Sequence, residues 1–126
     1  MLAVLGTAAF GQKQYKSFTN DTVQGNTLTY ASNVKVTKYA NSYVGFIFTH
    51  TDVTDSLSVA KLQGSFDNST FVDCDDETAS LSLTTTDGTS ILYLTSPKYL
   101  YYRAVLTAAT GDEVAITNAV FIIKED

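Results

Sequence analysis

Apolar and polar residues alternate with a period of two along most of the chain, and helical periodicity is almost absent. The clearest run is Tyr99-Leu-Tyr-Tyr-Arg-Ala-Val-Leu-Thr107. One of its faces carries Tyr99, Tyr101, Arg103, Val105 and Thr107. The other carries Leu100, Tyr102, Ala104 and Leu106, and this is the natural core side of a strand. Two segments, Tyr43-Val-Gly-Phe-Ile-Phe48 and Ala119-Val-Phe-Ile-Ile123, are apolar on both faces, as expected of strands at a sheet centre. Leu57-Ser-Val-Ala-Lys-Leu-Gln-Gly64 reads as a strand with Leu57 and Val59 on one face and Ala60 and Leu62 on the other. Val34–Lys38 reads as half-exposed with Val34 and Val36 inward, and Gln14–Phe18 and Thr27–Tyr30 are shorter candidates.

Turn signals fall between these runs. Asp67-Asn68-Ser69 turns the chain towards Phe71-Val72, and Gly111-Asp112 precedes a last strand or two over Glu113–Lys124. Asp87-Gly88 stands between Ser80–Thr86 and Ser90–Leu94, a spacing that predicts a hairpin, because Gly accepts positive φ. Eight or nine short strands with no helical interval predict an all-β fold. The expected architecture is an antiparallel β-sandwich of immunoglobulin-like or jelly-roll type, in one domain over 13–126. Residues 1–12, MLAVLGTAAFGQ, are apolar but lack a basic region, and Gly6 and Thr7 interrupt the run. They read as an N-terminal arm that docks on its own domain or on a neighbour, rather than as a signal peptide.

Composition narrows the function more than it names it. Of 126 residues, 30 are Thr or Ser, which suits pleated, half-exposed faces. Charged residues are only 17%, and with 44% hydrophobic residues the chain is not of the disordered type. The net charge of −5, with few and dispersed Lys and Arg, disfavours nucleic acid as a partner. A single Cys leaves no disulfide within the chain and fits a reducing compartment.

Catalytic chemistry finds no foothold. His50 is the one histidine, no Gly-x-Ser-x-Gly elbow accompanies it, and it reads as a loop-end residue hydrogen-bonded to neighbours. Cys74 lies in Asp73-Cys-Asp-Asp-Glu77, where carboxylates raise a thiol pKa rather than lower it. The same segment offers hard oxygen ligands to calcium, but Thr78 and Thr84 stand where an EF-hand loop needs Gly and Glu. It reads as a solvated acidic loop. No catalytic, cofactor or metal residues are therefore assigned. The stripe Tyr99, Tyr101 and Arg103 combines apolar area with polar tips, as interfaces do; ordinary sheet packing is the near alternative and a carbohydrate platform, which usually features Trp, the distant one. With the arm residues Leu2, Val4, Leu5 and Phe10, the stripe forms the candidate contact set.

Ser58-Val-Ala-Lys-Leu-Gln-Gly-Ser-Phe-Asp-Asn-Ser-Thr-Phe-Val72 resembles a recurring leucine-x-glycine-serine-x-aspartate-glycine-x-x-tryptophan/phenylalanine strand–turn–strand. Asn68 stands where Gly is usual, and Phe71 where Trp is common. Together with Tyr99–Thr107 and the final strand ending Ile122-Ile-Lys-Glu-Asp126, it resembles small β-sandwich virion proteins of tailed bacteriophages, leaning to the crAss-like group. It is similar also to discoidin-like and immunoglobulin-like binding modules. The resemblance spans Asp55 to Asp126. It implies a non-enzymatic virion protein, most of all an auxiliary capsid decoration subunit assembled in the bacterial cytoplasm. Its partners would be the major capsid protein or neighbouring structural subunits, with many symmetric copies and neither nucleic acid nor membrane. Head-fibre, neck or tail placement is the nearest alternative. A ligand-binding module for carbohydrate, cell surface or calcium is the more distant one.

Overall fold

The computed structural model describes residues 12–24, 27–36, 42–51, 57–82, 87–108 and 113–125. They form strands β1 (Gln12–Ser17), β2 (Asp21–Gln24), β3 (Thr27–Ala31), β4 (Tyr43–Thr51), β5 (Leu57–Ser65), β6 (Val72–Asp73), β7 (Ser80–Leu81), β8 (Gly88–Leu94), β9 (Tyr101–Ala108) and β10 (Glu113–Glu125). Among the described residues a 3-10 turn spans Glu77–Ala79. Every pairing is antiparallel. In the first sheet β1 and β2 share one side of β10, whose other side meets β4, and β4 meets β8. In the second, the order is β3, β9, β5, with β6 and β7 sharing the far side of β5.

The pairs nest. β1 and β2 lie against β10, β3 against β9, β4 against β8, and β5 against β6 and β7. The chain is thus one long antiparallel ribbon, rolled so that β10 meets β4 and β9 meets β5. This is the jelly-roll form of the expected β-sandwich, and it settles the choice against the immunoglobulin-like form.

Alternation places the core. Val44, Phe46, Phe48, Leu92, Leu94, Phe121 and Ile123 project from the first sheet; Tyr30, Ala60, Leu62, Tyr102, Ala104 and Leu106 project from the second, and all are buried. Aromatic rings tie the sheets together: Phe46 lies 5.2 Å from Tyr30 and 5.0 Å from Phe121, and Phe18 lies 5.0 Å from Tyr30. Each such side chain stabilises the fold by roughly 1.5–3 kcal/mol through the apolar area it removes from water. Phe18 interrupts the edge between β1 and β2, and β10 answers with a bulge between Thr117 and Val120. Asn118 there takes φ 53°, and its N–H faces Asn20 Oδ1 at 3.4 Å.

Several expectations are corrected. Asp87-Gly88 does not close a hairpin, because β7 belongs to the second sheet and β8 to the first. Alternation reports a half-buried face but not which sheet supplies it. The strand expected from Tyr99 begins at Tyr101. Leu100 instead donates its N–H to Ser65 O and accepts Val36 N–H at 2.7 Å. Ser32–Val36 forms no strand, although Val36 is fully buried as expected; Asn33, at φ 55°, turns the backbone out of the extended region. The brief strand β2 was not anticipated, whereas β6 returns along β5 after the Asp67-Asn68-Ser69 turn, as the strand–turn–strand resemblance implied. The arm residues Leu2, Val4, Leu5 and Phe10, and the Gly111-Asp112 turn, lie outside the described residues.

Candidate functional site

The outward face of the second sheet holds a continuous polar ladder. Register sets Ala31, Arg103, Gln63 and Asp73 side by side across β3, β9, β5 and β6. Arg103 Nε donates to Gln63 Oε1 at 2.8 Å, and Gln63 Nε2 donates to Asp73 Oδ1 at 2.8 Å. Lys61 Nζ closes the row on Asp73 Oδ2 at 3.0 Å. The Arg103 guanidinium also lies 4.2 Å above the Phe71 ring. The hydrogen bonds from Gln63 and Lys61 hold the Asp73 carboxyl below its ordinary pKa.

The three residues of the expected stripe are therefore not one surface. Arg103 is engaged within the ladder, and half-buried Tyr101 sits opposite Ser65. Tyr99 turns away to lie over Gly64, where an added Cβ would come within 2.2 Å of its ring. Its N–H donates to Tyr102 Oη at 2.7 Å, and its ring is 5.0 Å from that of Phe66. Gly64 is therefore required by packing, since only a residue without Cβ lets the ring approach the strand this closely.

Beside this ring pair lies a mainly apolar cleft of about 380 Å³, whose walls include Phe66, Val72 and Tyr99 and whose polar groups come from Ser65, Asp67 and Thr70. The turn that shapes it is fixed by one carboxylate oxygen. Asp67 Oδ1 accepts the Ser65 hydroxyl at 2.8 Å and the N–H groups of Ser69 at 2.9 Å and Thr70 at 2.8 Å. These donors hold the Asp67 carboxyl below its usual pKa. Asn68 takes φ 59° at the position where the resembling turn has Gly, a conformation Asn tolerates.

The outward face of the first sheet differs in kind. Across the register run Tyr15, Ile122, Gly45 and Tyr93, and beside them Ser17, Val120, Ile47 and Ile91. Tyr43 folds over Gly45 and stacks on Tyr93 with centroids 6.0 Å apart and planes at 17°. The result is a band of Tyr, Ile and Val on the outside of a sheet, with Tyr15 63% exposed.

His50 is not at a loop but within β4, facing inward and buried. Its Nε2 lies 3.2 Å from Ser90 Oγ, while Nδ1 has no partner among the described residues. Burial lowers its pKa, against a smaller opposing pull from Asp87. The Cys74 thiol is half-buried and pushed up to about 12, first by burial and then by Asp76, Asp73 and Asp75. Such a thiol stays protonated and is a poor nucleophile. Among the described residues no cluster of three or more His, Cys, Asp or Glu is placed to hold a metal ion.

No protein-family model matches the chain, and no curated protein matches it in sequence. The functional reading therefore rests on surfaces. The Phe66 cleft escaped the sequence reading, although an aromatic residue inside the turn-forming run Ser65-Phe-Asp-Asn-Ser69 was a signal: a side chain on so tight a turn has no core to enter.

Proposed function

We propose that the protein is a non-enzymatic structural component of a tailed-phage virion, an auxiliary subunit that decorates the capsid shell. The observation that carries this reading is the apolar band on the outward face of the first sheet, from Tyr15 across Ile122 and Ile47 to Ile91 and Tyr93. A sheet face of Tyr, Ile and Val that no other described residue covers is the kind of surface that subunits bury against one another. Jelly rolls recur among viral capsid domains, and also among lectins and cupins, so the fold supports the reading without carrying it. On this reading the band lies against the major capsid protein or a neighbouring subunit. Leu2, Val4, Leu5 and Phe10 of the arm add a second contact, and symmetry multiplies both over many copies.

The test is copy number in purified particles of the phage that encodes the chain, measured by quantitative mass spectrometry against the major capsid protein. Hundreds of copies per particle are expected of a shell decoration subunit. About a dozen or fewer would move the protein to the neck or tail, and absence from particles would end the virion reading.

A further inference from the structure

Large apolar side chains exposed among the described residues are Tyr15, Phe66, Val72 and Ile91, and two of these four line the same cleft. Phe66 is 61% exposed and Val72 48%. Neither is loose. Phe66 rests on Tyr99, which is fixed by Gly64 beneath it and by its N–H bond to Tyr102. The Asp67 turn locks the backbone between them. An apolar cleft already held open avoids most of the ordering cost that binding otherwise carries.

We infer that this cleft is a recognition site for an arginine side chain presented by a partner protein. Asp67 supplies the charge. Its Oδ1 is taken up by the turn; among the described residues Oδ2 accepts no hydrogen bond and no Lys or Arg lines the cleft. A ligand that satisfies these walls has an apolar stem, a flat cationic head able to lie on Phe66 or Tyr99, and donors for one carboxylate oxygen. Arginine combines the three; lysine lacks the planar head. A saccharide fits less well, because its many hydroxyl groups would meet few polar partners on mainly apolar walls. The net charge of −5 attracts a cationic partner as well. The protein makes the same kind of contact within itself, where Arg103 stacks on Phe71 while donating to Gln63. This inference does not depend on the virion reading, since an arginine-bearing partner of any origin would suit the cleft.

The experiment is a titration of the ¹⁵N-labelled full chain, followed by amide chemical shifts, with N-acetyl-arginine amide and with its neutral isostere N-acetyl-citrulline amide. Saturable shifts are expected at Phe66, Asp67, Thr70, Val72 and Tyr99, with the citrulline probe at least fivefold weaker. Asp67→Asn keeps the Oδ1 acceptor, and with it the turn, while removing the charge. It is expected to bring the arginine probe down to the citrulline level. Phe66→Ala, at an exposed position, is expected to weaken both probes. Equal binding of the two probes, undiminished arginine binding by Asp67→Asn, or no saturable shift at the cleft would overturn the inference. So would saturable shifts there with maltotriose and none with the arginine probe, which would mark a saccharide site. Particle copy number bears on none of these outcomes, so the two proposals fail separately.

Discussion

The two outward faces of the sandwich are built on the same alternation, yet they end in opposite chemistry. On the second sheet, Arg103, Gln63, Asp73 and Lys61 satisfy one another in a row, and Phe71 covers the guanidinium. On the first sheet, Tyr43, Ile47, Ile91, Tyr93, Val120 and Ile122 occupy the equivalent outward positions with few polar atoms. A face whose hydrogen bonds are closed among its own side chains gains little from a partner, whereas an apolar face gains in proportion to the area covered. On the virion reading proposed above, the first sheet is the attaching face and the second is self-sufficient. Of the contact stripe expected from sequence, Arg103 is already engaged in the ladder of the second sheet and Tyr99 turns away over Gly64.

The sharpest way to break that comparison is to charge each face in turn. Ile91→Lys adds a cation at the β8 edge of the apolar band, on a side chain already 36% exposed. Its cost to folding is expected to stay within about 0.5 kcal/mol, as for most surface substitutions. Binding to shell particles in a co-sedimentation assay is expected to fall by about a hundredfold or more, the consequence of leaving a charge unpaired in a covered interface. Arg103→Ala on the opposite face is expected to leave sedimentation unchanged. If the two variants behaved alike, the faces would not divide the work in this way.

A second distinction separates the inside of the first sheet from its outside, and pH reads it. His50 points inward from β4, and its folded pKa lies below its ordinary 6.5 because burial disfavours the imidazolium. The unfolded chain therefore binds the proton first. As pH falls below about 6.5 stability is lost, and the loss is complete once pH passes the lowered folded value. One proton sets the ceiling, a slope of about 1.4 kcal/mol per pH unit. Urea unfolding between pH 5 and 7.5 is expected to show this decline in the parent and a flatter profile in His50→Gln. The carboxyls of Asp67 and Asp73, also lowered, act further down, as pH falls below 3.8, whereas the His50 loss begins near 6.5. An unchanged profile in His50→Gln would mean that the imidazole is not the titrating group.

Much of this architecture could be read from the chain, and the failures share one cause. Period-two alternation identified β4, β5, β9 and β10 and the inward sides of Tyr102, Ala104 and Leu106, because burial on one face leaves a local record. Which strand lies beside which leaves no such record. Asp87-Gly88 looked like a hairpin turn because β7 and β8 each alternate, although they belong to different sheets. Arg103 looked like a free interface residue for the same reason. Its partners Gln63 and Phe71 lie distant along the chain, and only the register of β9 on β5 brings them together. The Asp67 turn was legible because its hydrogen bonds are local, whereas the cleft beside it needs Tyr99, which is distant along the chain.

The smallest expected effect concerns the ladder itself, and it tests whether the second face is as self-contained as its geometry implies. Gln63→Leu keeps the bulk on β5 but removes the acceptor for Arg103 Nε and the donor to Asp73 Oδ1. Both partners stay accessible to water, so neither charge is stranded, and each lost hydrogen bond is largely replaced by solvent. The destabilisation is expected to be about 1 kcal/mol, shared between two bonds to charged groups that solvent screens. Lys61 alone then holds Asp73, so the Asp73 carboxyl is expected to titrate closer to its ordinary value, measurable by side-chain carboxyl NMR shifts against pH. Shell binding should not change, because the ladder faces away from the apolar band. A loss of several kcal/mol would mean instead that the ladder carries the second sheet rather than finishing its surface, and a loss of binding would make this face the one that attaches.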